Sequence, residues 1–351
     1  MMQISPETQL FIREHSSDDV RVLALQAKKY PDIDMPTAIT QIAGRKVAAE
    51  KIPSWWEIEK IWYPKHLSLE QCSSEITARY KARLLQGDSL TDLTGGFGID
   101  CSFLATGFKS ATYVERQEEL CEIAAHNFPV LNLNHINIKN EDGVTYLQVM
   151  SPVDCLFLDP ARRNEHGGKT VAISDCEPNV AELEELLLQK ANRVMIKLSP
   201  MLDLSLALKE LKQTQEVHIL SVNNECKELL ILLGQTSPAE ISIHCVNLFT
   251  KGTQKEQHFV FTREQEQCSE CTYTDSLETY LYEPNASLLK AGAFRSIAAA
   301  YPVRKLHPNS HLYTSDTFIE NFPGRIFRIV NQCSFNKKEV KENLADLKKA
   351  N

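Results

Sequence analysis

Two hydrophobic periods divide the chain. Up to about residue 70, apolar positions recur every three or four residues. In "TAITQIAGRKVAAEKI" they are Ile39, Ile42, Ala43, Val47 and Ala48, a spacing that predicts an amphipathic helix. The stretch "IPSWWEIEKIWYP" follows and holds all three tryptophans, Trp55, Trp56 and Trp62. Aromatics this dense predict a small core of their own, with a base-stacking platform as the alternative. From about residue 75 short apolar runs alternate with helical periods. "SLTDL", "SATYVE", "INIKN", "VDCLFLDP" and "NRVMIKLSP" predict strands; "GIDCSFLATGF", "RQEELCEIAAHNFPVL", "GVTYLQVM", "NVAELEELLLQKA" and "LDLSLALKELKQ" predict the helices between them. "EVHILSVN" and "KELLILLG" have almost no helix between them and predict a closing antiparallel hairpin at the sheet edge. Such alternation specifies βαβ units and a mainly parallel, doubly wound α/β sheet. Beyond Glu240 the pattern turns strand-rich, and a C-terminal α+β unit is expected from about residue 275. The organisation expected is a helical N-terminal domain over 1–70, a Rossmann-like sheet domain over 71–265 and the α+β domain over 275–351.

Composition narrows the classes. With 351 residues, 43% apolar and 24% charged, the chain reads as a globular protein of two or three domains. No run approaches the ~20 apolar residues of a membrane span, and "MMQISPETQLFIREH" lacks the order of a signal peptide, so no membrane partner and a cytoplasmic location are expected. The ten cysteines are scattered. Only Cys268 and Cys271 have C-x-x-C spacing, and without a second pair no metal site is expected. The net charge of −8 is uneven: from Pro284 to Asn351 eleven Lys and Arg face five Asp and Glu. A basic region on an acidic body is either a solvated face or the footprint of a nucleic-acid contact.

The chemistry concentrates in "LTDLTGGFGID", residues 90 to 100. This glycine turn follows the first strand, where open α/β sheets bind ligands. No Gly-Lys-Ser/Thr follows, so it is not a P-loop. A dinucleotide fingerprint through Gly96 and Gly98 would need a third glycine where Cys101 stands. S-adenosylmethionine carries no phosphate and fits better. Asp92, Thr94, Gly95, Gly96 and Gly98 would line its methionine end. Glu115 in "YVER" would grip the ribose hydroxyls, and Asp142 in "KNEDG" would meet the adenine amine. The fourth strand ends in "FLDPARRN", where Asp159 and Pro160 would present an acceptor amine to the methyl group; a simple turn is the structural alternative.

These features, with "LEQCSSEITARYKARLL", "ERQEEL" and "NNECKELL", resemble class I S-adenosylmethionine-dependent methyltransferases over residues 67 to about 235. The chain is similar to a Bacteroidetes-type group with a THUMP-like C-terminal region, through "YEPNASLLKAGAF", "KLHPNSHLYTS" and "FPGRIFRI". The resemblance implies a seven-stranded sheet, an RNA substrate (tRNA or rRNA) and a C-terminal region running beyond "KKEVKENLADLKKAN". It also implies that Ser73, Ser74 and Thr77 close over the methionine end; read alone, "CSSE" could be a helix N-cap box.

Arg162 and Arg163 stand where amine methyltransferases often carry a base-stacking aromatic, and a guanidinium can stack or clamp a phosphate. Uracil-C5 chemistry needs a cysteine after the fifth strand, where "IKLSP" offers Ser199. Methylation of a base nitrogen in RNA is therefore the expectation. A small-molecule methyltransferase, or an RNA-binding protein with a vestigial methyltransferase fold, are the alternatives.

Overall fold

The computed structural model describes residues 4–162, 172–236, 238–334 and 336–344. Two compact units divide the chain: Met1–Val217 with Glu228–Ala239, and His218–Lys227 with Glu240–Asn351.

The first unit opens with helices. Ser5 caps Pro6–Glu14 by accepting from the Thr8 amide, and Asp34 caps Met35–Lys51 by accepting from the Thr37 amide. The apolar stripe of the long helix buries Ile42 and Ala48, as its spacing predicts. Phe11, Leu23, Met35, Ala38 and Ile42 form one cluster, and Ala48, Ile52, Trp55, Ile61 and Tyr63 begin a second that reaches Phe97 of the glycine turn. The tryptophans split. Trp55 is buried, Trp62 is half-buried and stacked on His126 at 3.7 Å, and Trp56 is exposed beneath Arg45.

The sheet strands are β1 (Ser89–Asp92), β2 (Ser110–Glu115), β3 (Ile136–Asn140), β4 (Val153–Leu158), β5 (Ala161–Arg162), β6 (Cys176–Glu177), β7 (Ala191–Leu198), β8 (Thr214–Val222), β9 (Glu225–Gly234), β10 (Ser242–Leu248) and β11 (Glu256–Thr262). β5 and β6 pair only with each other. The other nine form one sheet, ordered β11-β10-β8-β9-β7-β4-β1-β2-β3. β1 pairs in parallel with β2 and β4, β2 with β3, and β4 with β7. β9 runs antiparallel to β7. Strands from β3 to β8 make the seven expected of the doubly wound sheet. β10 and β11, an antiparallel pair, add two more. The β8–β9 hairpin is therefore not an edge, as its sequence suggested. The strand-rich run after Glu240, whose Ile243, Cys245 and Val246 are buried, continues the sheet rather than leaving it.

β7 and β9 read as near-continuous apolar runs because they are covered on both faces, which removes the two-residue alternation. Strand order reverses between β1 and β4, so the carboxyl ends of these strands flank the crevice where such sheets take ligands.

In the second unit, β12 (Tyr280–Pro284), β13 (Arg304–Lys305), β14 (Tyr313–Ser315) and β15 (Gly324–Arg328) form an antiparallel sheet ordered β13-β14-β12-β15. Helices Ala286–Ala291 and Phe294–Ala300 follow β12. Tyr282, Leu288, Ile297, Tyr313 and Phe322 fill its core. This is the α+β unit expected from the sequence. Among the described residues, no helix is long and apolar enough to cross a membrane.

Candidate active site

The site lies in the first unit, at the carboxyl ends of β1, β2, β3 and β4. The turn after β1 is held by its own backbone and by β2. The Gly95 amide donates to the Val114 carbonyl at 2.9 Å, and the Gly98 amide to the Gly95 carbonyl at 2.8 Å. Gly95 lets the chain pass over Tyr113, since a Cβ there would stand 2.2 Å from the ring. Gly98, at φ +85°, begins the helix Ile99–Ala105 in the left-handed region that glycine adopts without strain. Phe97 anchors the turn from below, edge-on to Trp55 at 5.2 Å. The tryptophan-rich segment thus braces the glycine loop rather than offering all its rings to a base.

Each strand delivers one acid. Asp92 ends β1, almost wholly buried. Its Oδ1 accepts from the Thr94 amide at 3.0 Å, whereas its Oδ2 is buried without a hydrogen bond. Burial, with Asp100, Asp159 and Glu115 nearby, pushes its carboxyl well above the usual range, against the pull of the Thr94 amide. Glu115 ends β2. Its Oε2 accepts from the Gly96 amide at 2.9 Å and its Oε1 from the Gln117 amide at 2.8 Å. Asp142 follows β3, is exposed, and spends Oδ1 on capping the helix Gly143–Val149 through the Val144 and Thr145 amides. Asp159 follows β4. Its amide donates to Thr94 Oγ1 at 2.6 Å, which ties the end of β4 to the glycine turn, and the adjoining Pro160 is buried.

The serine segment lies elsewhere than at an open rim. Ser73 is buried, donates to Asp100 Oδ2 at 2.6 Å and accepts from Lys81 Nζ at 2.8 Å. Ser74 stands at the N-cap of the helix Glu75–Ala82, yet its hydroxyl caps no amide and instead meets Thr77 Oγ1 at 3.2 Å. Thr77 is buried. Arg162 enters the site region only as backbone, in β5, where it pairs with Cys176. Its side chain and all of Arg163 lie outside the described residues.

Nothing in the sequence pattern signals the most charged feature of the site. Two buried lysines, Lys81 and Lys197, meet three acids. Lys81 Nζ lies 2.6 Å from Glu228 Oε2 and 2.9 Å from Asp100 Oδ1. Lys197 Nζ is hydrogen-bonded to Asp159 Oδ2 and lies 3.6 Å from Asp100 Oδ2. Burial alone would raise the Asp100 carboxyl, but the two ammoniums and Ser73 hold it below its usual value. At Asp159 burial outweighs Lys197, and the carboxyl is raised. For Lys197 burial disfavours the charge, yet Asp159, Asp100 and Glu228 raise its pKa, so the ammonium stays charged. Periodicity marks these positions only as apolar-run neighbours, and a lysine inside "VMIKLSP" looks like a strand end.

The nearly full-length likeness decides the family. The chain matches a Porphyromonas gingivalis W83 protein to which methyltransferase activity is ascribed, at 34% identity and TM-score 0.84, over 98% of this chain and 87% of that one. The chain belongs to that methyltransferase family. Two partial likenesses cover less than half of it. One is to an rRNA methylase of Streptococcus thermophilus, at 15% identity and TM-score 0.33, over 45% of this chain and 93% of that one. The other is to a Streptococcus mutans protein, also ascribed methyltransferase activity and solved in complex with SAH, at 14% identity and TM-score 0.33, over 46% of this chain and 96% of that one. A family model described as a ferredoxin-like domain matches residues 280–323, within the second unit. No curated protein matches the chain.

Within the methyltransferase fold, the six acids named from sequence or found in the structure divide by environment, with Glu228 held on Lys81. Asp92, Glu115 and Asp142 stand at the successive ends of β1, β2 and β3. Asp159 keeps 36% of its side chain exposed beside the buried Lys197, and Asp100 is locked between the lysines.

Proposed function

We propose that the protein transfers a methyl group from S-adenosylmethionine to a base nitrogen in RNA. The observation that carries this reading is the Thr94–Asp159 tie: one hydrogen bond couples the glycine turn to the Asp-Pro end of β4, so cofactor loop and acceptor carboxylate share a fixed geometry. The residues fit the cofactor. The orphaned, buried Oδ2 of Asp92 is a ready partner for the methionine ammonium, because an unpaired buried oxygen is costly until a donor reaches it. Glu115 keeps further lone pairs for ribose hydroxyls beyond the two amides it accepts, and the second oxygen of Asp142 remains for the adenine amine. Ser73 and Thr77 would shape the methionine end indirectly, through Asp100 and Ser74.

When bound, the cofactor supplies an electrophilic methyl group. The protein's part is alignment and exclusion of water. Asp159 would accept a hydrogen bond from the acceptor amine and turn the nitrogen lone pair toward the cofactor side. As the N–methyl bond forms and the S–methyl bond breaks, the amine proton passes to Asp159 or to water and the demethylated product is released. Pro160 fixes the backbone there. Arg162 and Arg163 would stack on the base or hold a phosphate. RNA as substrate is supported by the chemistry of the Asp-Pro strand end and by Arg295 and Arg328, exposed cations of the second unit. Three other cations of that region support it less: Lys305 is buried, and Arg304 and Arg325 are paired with Glu278 and Glu283.

The test is calorimetry with S-adenosylmethionine, its demethylated product, NAD and ATP, followed by mass spectrometry of RNA modifications from cells with and without the gene. Binding of the first two alone, and one methylated nucleotide lost with the gene, is expected. Cofactor binding with unchanged RNA would move the substrate to a small molecule; RNA binding without cofactor binding would leave only the vestigial-fold alternative.

A further inference from the structure

A free Asp159 carboxylate is what the strand-end motif promises, yet a lysine already holds it. Register places the two together: β4 and β7 pair in parallel with Leu158 opposite Ile196, so Asp159, just past the end of β4, stands beside Lys197, the last residue but one of β7. Lys197 Nζ is hydrogen-bonded to Asp159 Oδ2, and its side chain is 10% exposed against 36% for Asp159. The lysine therefore lies beneath the carboxylate and leaves its outer side open. Asp100 Oδ2 stands 3.6 Å from the same ammonium and gives it a second anionic partner. Asp100 is itself held by Ser73 and Lys81, and Lys81 by Glu228.

We propose that Lys197 is a positioning residue for methyl transfer: its ammonium, anchored on Asp100, keeps the Asp159 carboxylate ionised and aimed, and so selects a neutral amine as acceptor. This rests on the methyltransferase reading above. A carboxylate in this recess faces Asp92 and Asp100 as well as Lys197 and Lys81. Without the Lys197 charge, low polarity and the Asp100 carboxylate would both favour the protonated acid. A protonated carboxyl donates a hydrogen bond where an amine needs an acceptor. The pairing also sets specificity. A carboxylate already neutralised by a fixed ammonium gives little extra attraction to a cationic amine, such as a protonated lysine side chain or polyamine, whereas it still accepts from the neutral exocyclic amine of a base. Lys81 cannot replace Lys197, because it is committed to Glu228 and the other oxygen of Asp100.

The experiment is the pH profile of methyl incorporation from labelled S-adenosylmethionine into total RNA from cells lacking the gene. It compares wild type, Lys197→Met, Lys197→Arg and Lys197→Met with Asp159→Asn; Lys197→Gln replaces Lys197→Met if that variant does not fold. In Lys197→Met the acidic limb of kcat/KM should move up by about one pH unit or more, with cofactor Kd changed less than about threefold. Lys197→Arg should return the limb toward wild type. A lowered plateau with an unmoved limb overturns the proposal and leaves Lys197 a structural residue. If the wild type labels no RNA, the RNA reading fails separately, and the proposal is then decided by urea unfolding across pH. The deficit of Lys197→Met should grow from about pH 4 to pH 7, because a raised Asp159 pKa loses stability as pH rises. Asp159→Asn in the same background should remove most of that growth, and equal growth in both overturns the proposal.

Discussion

Glu115→Ala is the sharpest test of where the cofactor lies. In the folded protein Glu115 is 8% exposed and its carboxylate accepts from two amides, Gly96 at 2.9 Å and Gln117 at 2.8 Å. On the proposed reading, truncation removes a hydrogen-bond partner from the ribose; it also frees the glycine turn from its link to β2. A hydrogen bond to a charged group contributes about 1.5–3 kcal/mol, so cofactor affinity should fall by about 10- to 150-fold. Loss of the turn's own bond would add to this, and the two parts separate with Glu115→Gln. Its carbonyl can still accept from the Gly96 amide while the charge is gone, so it should lose less than Glu115→Ala. The assay is calorimetry with S-adenosylhomocysteine, which avoids turnover, alongside circular dichroism to confirm the fold. Affinity within twofold of wild type in a folded Glu115→Ala would refute the reasoning and remove Glu115 from the site.

Asp159→Ala should keep cofactor affinity within a few-fold and abolish methyl transfer if Asp159 faces the acceptor, as proposed; collapse of both in a folded variant, read by calorimetry and label incorporation, would place it on the wrong ligand. Asp92→Asn tests the orphaned acid through stability. Because burial raises the Asp92 carboxyl, the folded state binds its proton more tightly than the unfolded state, and stability should fall as pH rises from about 4 toward the folded value. Asp92→Asn should flatten that fall in urea unfolding curves, while a slope identical to wild type would mean Asp92 does not carry it. RNA retention by the intact protein should weaken steeply with salt, and Arg328→Ala should reduce the slope of log affinity against log salt by about 1 if that exposed side chain meets a phosphate; an unchanged slope takes Arg328 out of the contact.

Much of the sheet was legible because its signals are local. Each βαβ unit carries its strand as a short apolar run and its helix as a 3.6-residue period, and a cap marks the start: Asp142 before Gly143–Val149, Asn179 before Val180–Lys190, Asp203 before Leu204–Glu210. The edge was not legible. "EISIHCVNLF" and "QHFVFT" read as strands, but strand identity does not say which neighbour a strand takes, and β10 and β11 extend the sheet past the hairpin expected to close it. The tryptophan segment shows the same limit in a different form. Density of rings predicted a core; that this core would brace Phe97 of the glycine loop depends on a contact across some forty residues.

The site divides along the same line. Asp92, Glu115, Asp142 and Asp159 could be named because each follows a strand, and strand ends in a doubly wound sheet converge. What each carboxylate does there was set by partners no spacing reveals. Asp142 spends one oxygen on a helix cap, Asp92 leaves one oxygen orphaned, and Asp159 is held by Lys197. Lys81, Lys197, Asp100 and Glu228 come from a helix, a strand, a second helix and another strand, and only the fold brings them together. Buried ion pairs of this kind contribute little net stability, because desolvation offsets attraction, yet breaking one strands a charge. Four elements converging on buried charges beside Asp159, the carboxylate proposed to meet the acceptor, therefore make better sense as electrostatics arranged for chemistry than as a device for holding the fold.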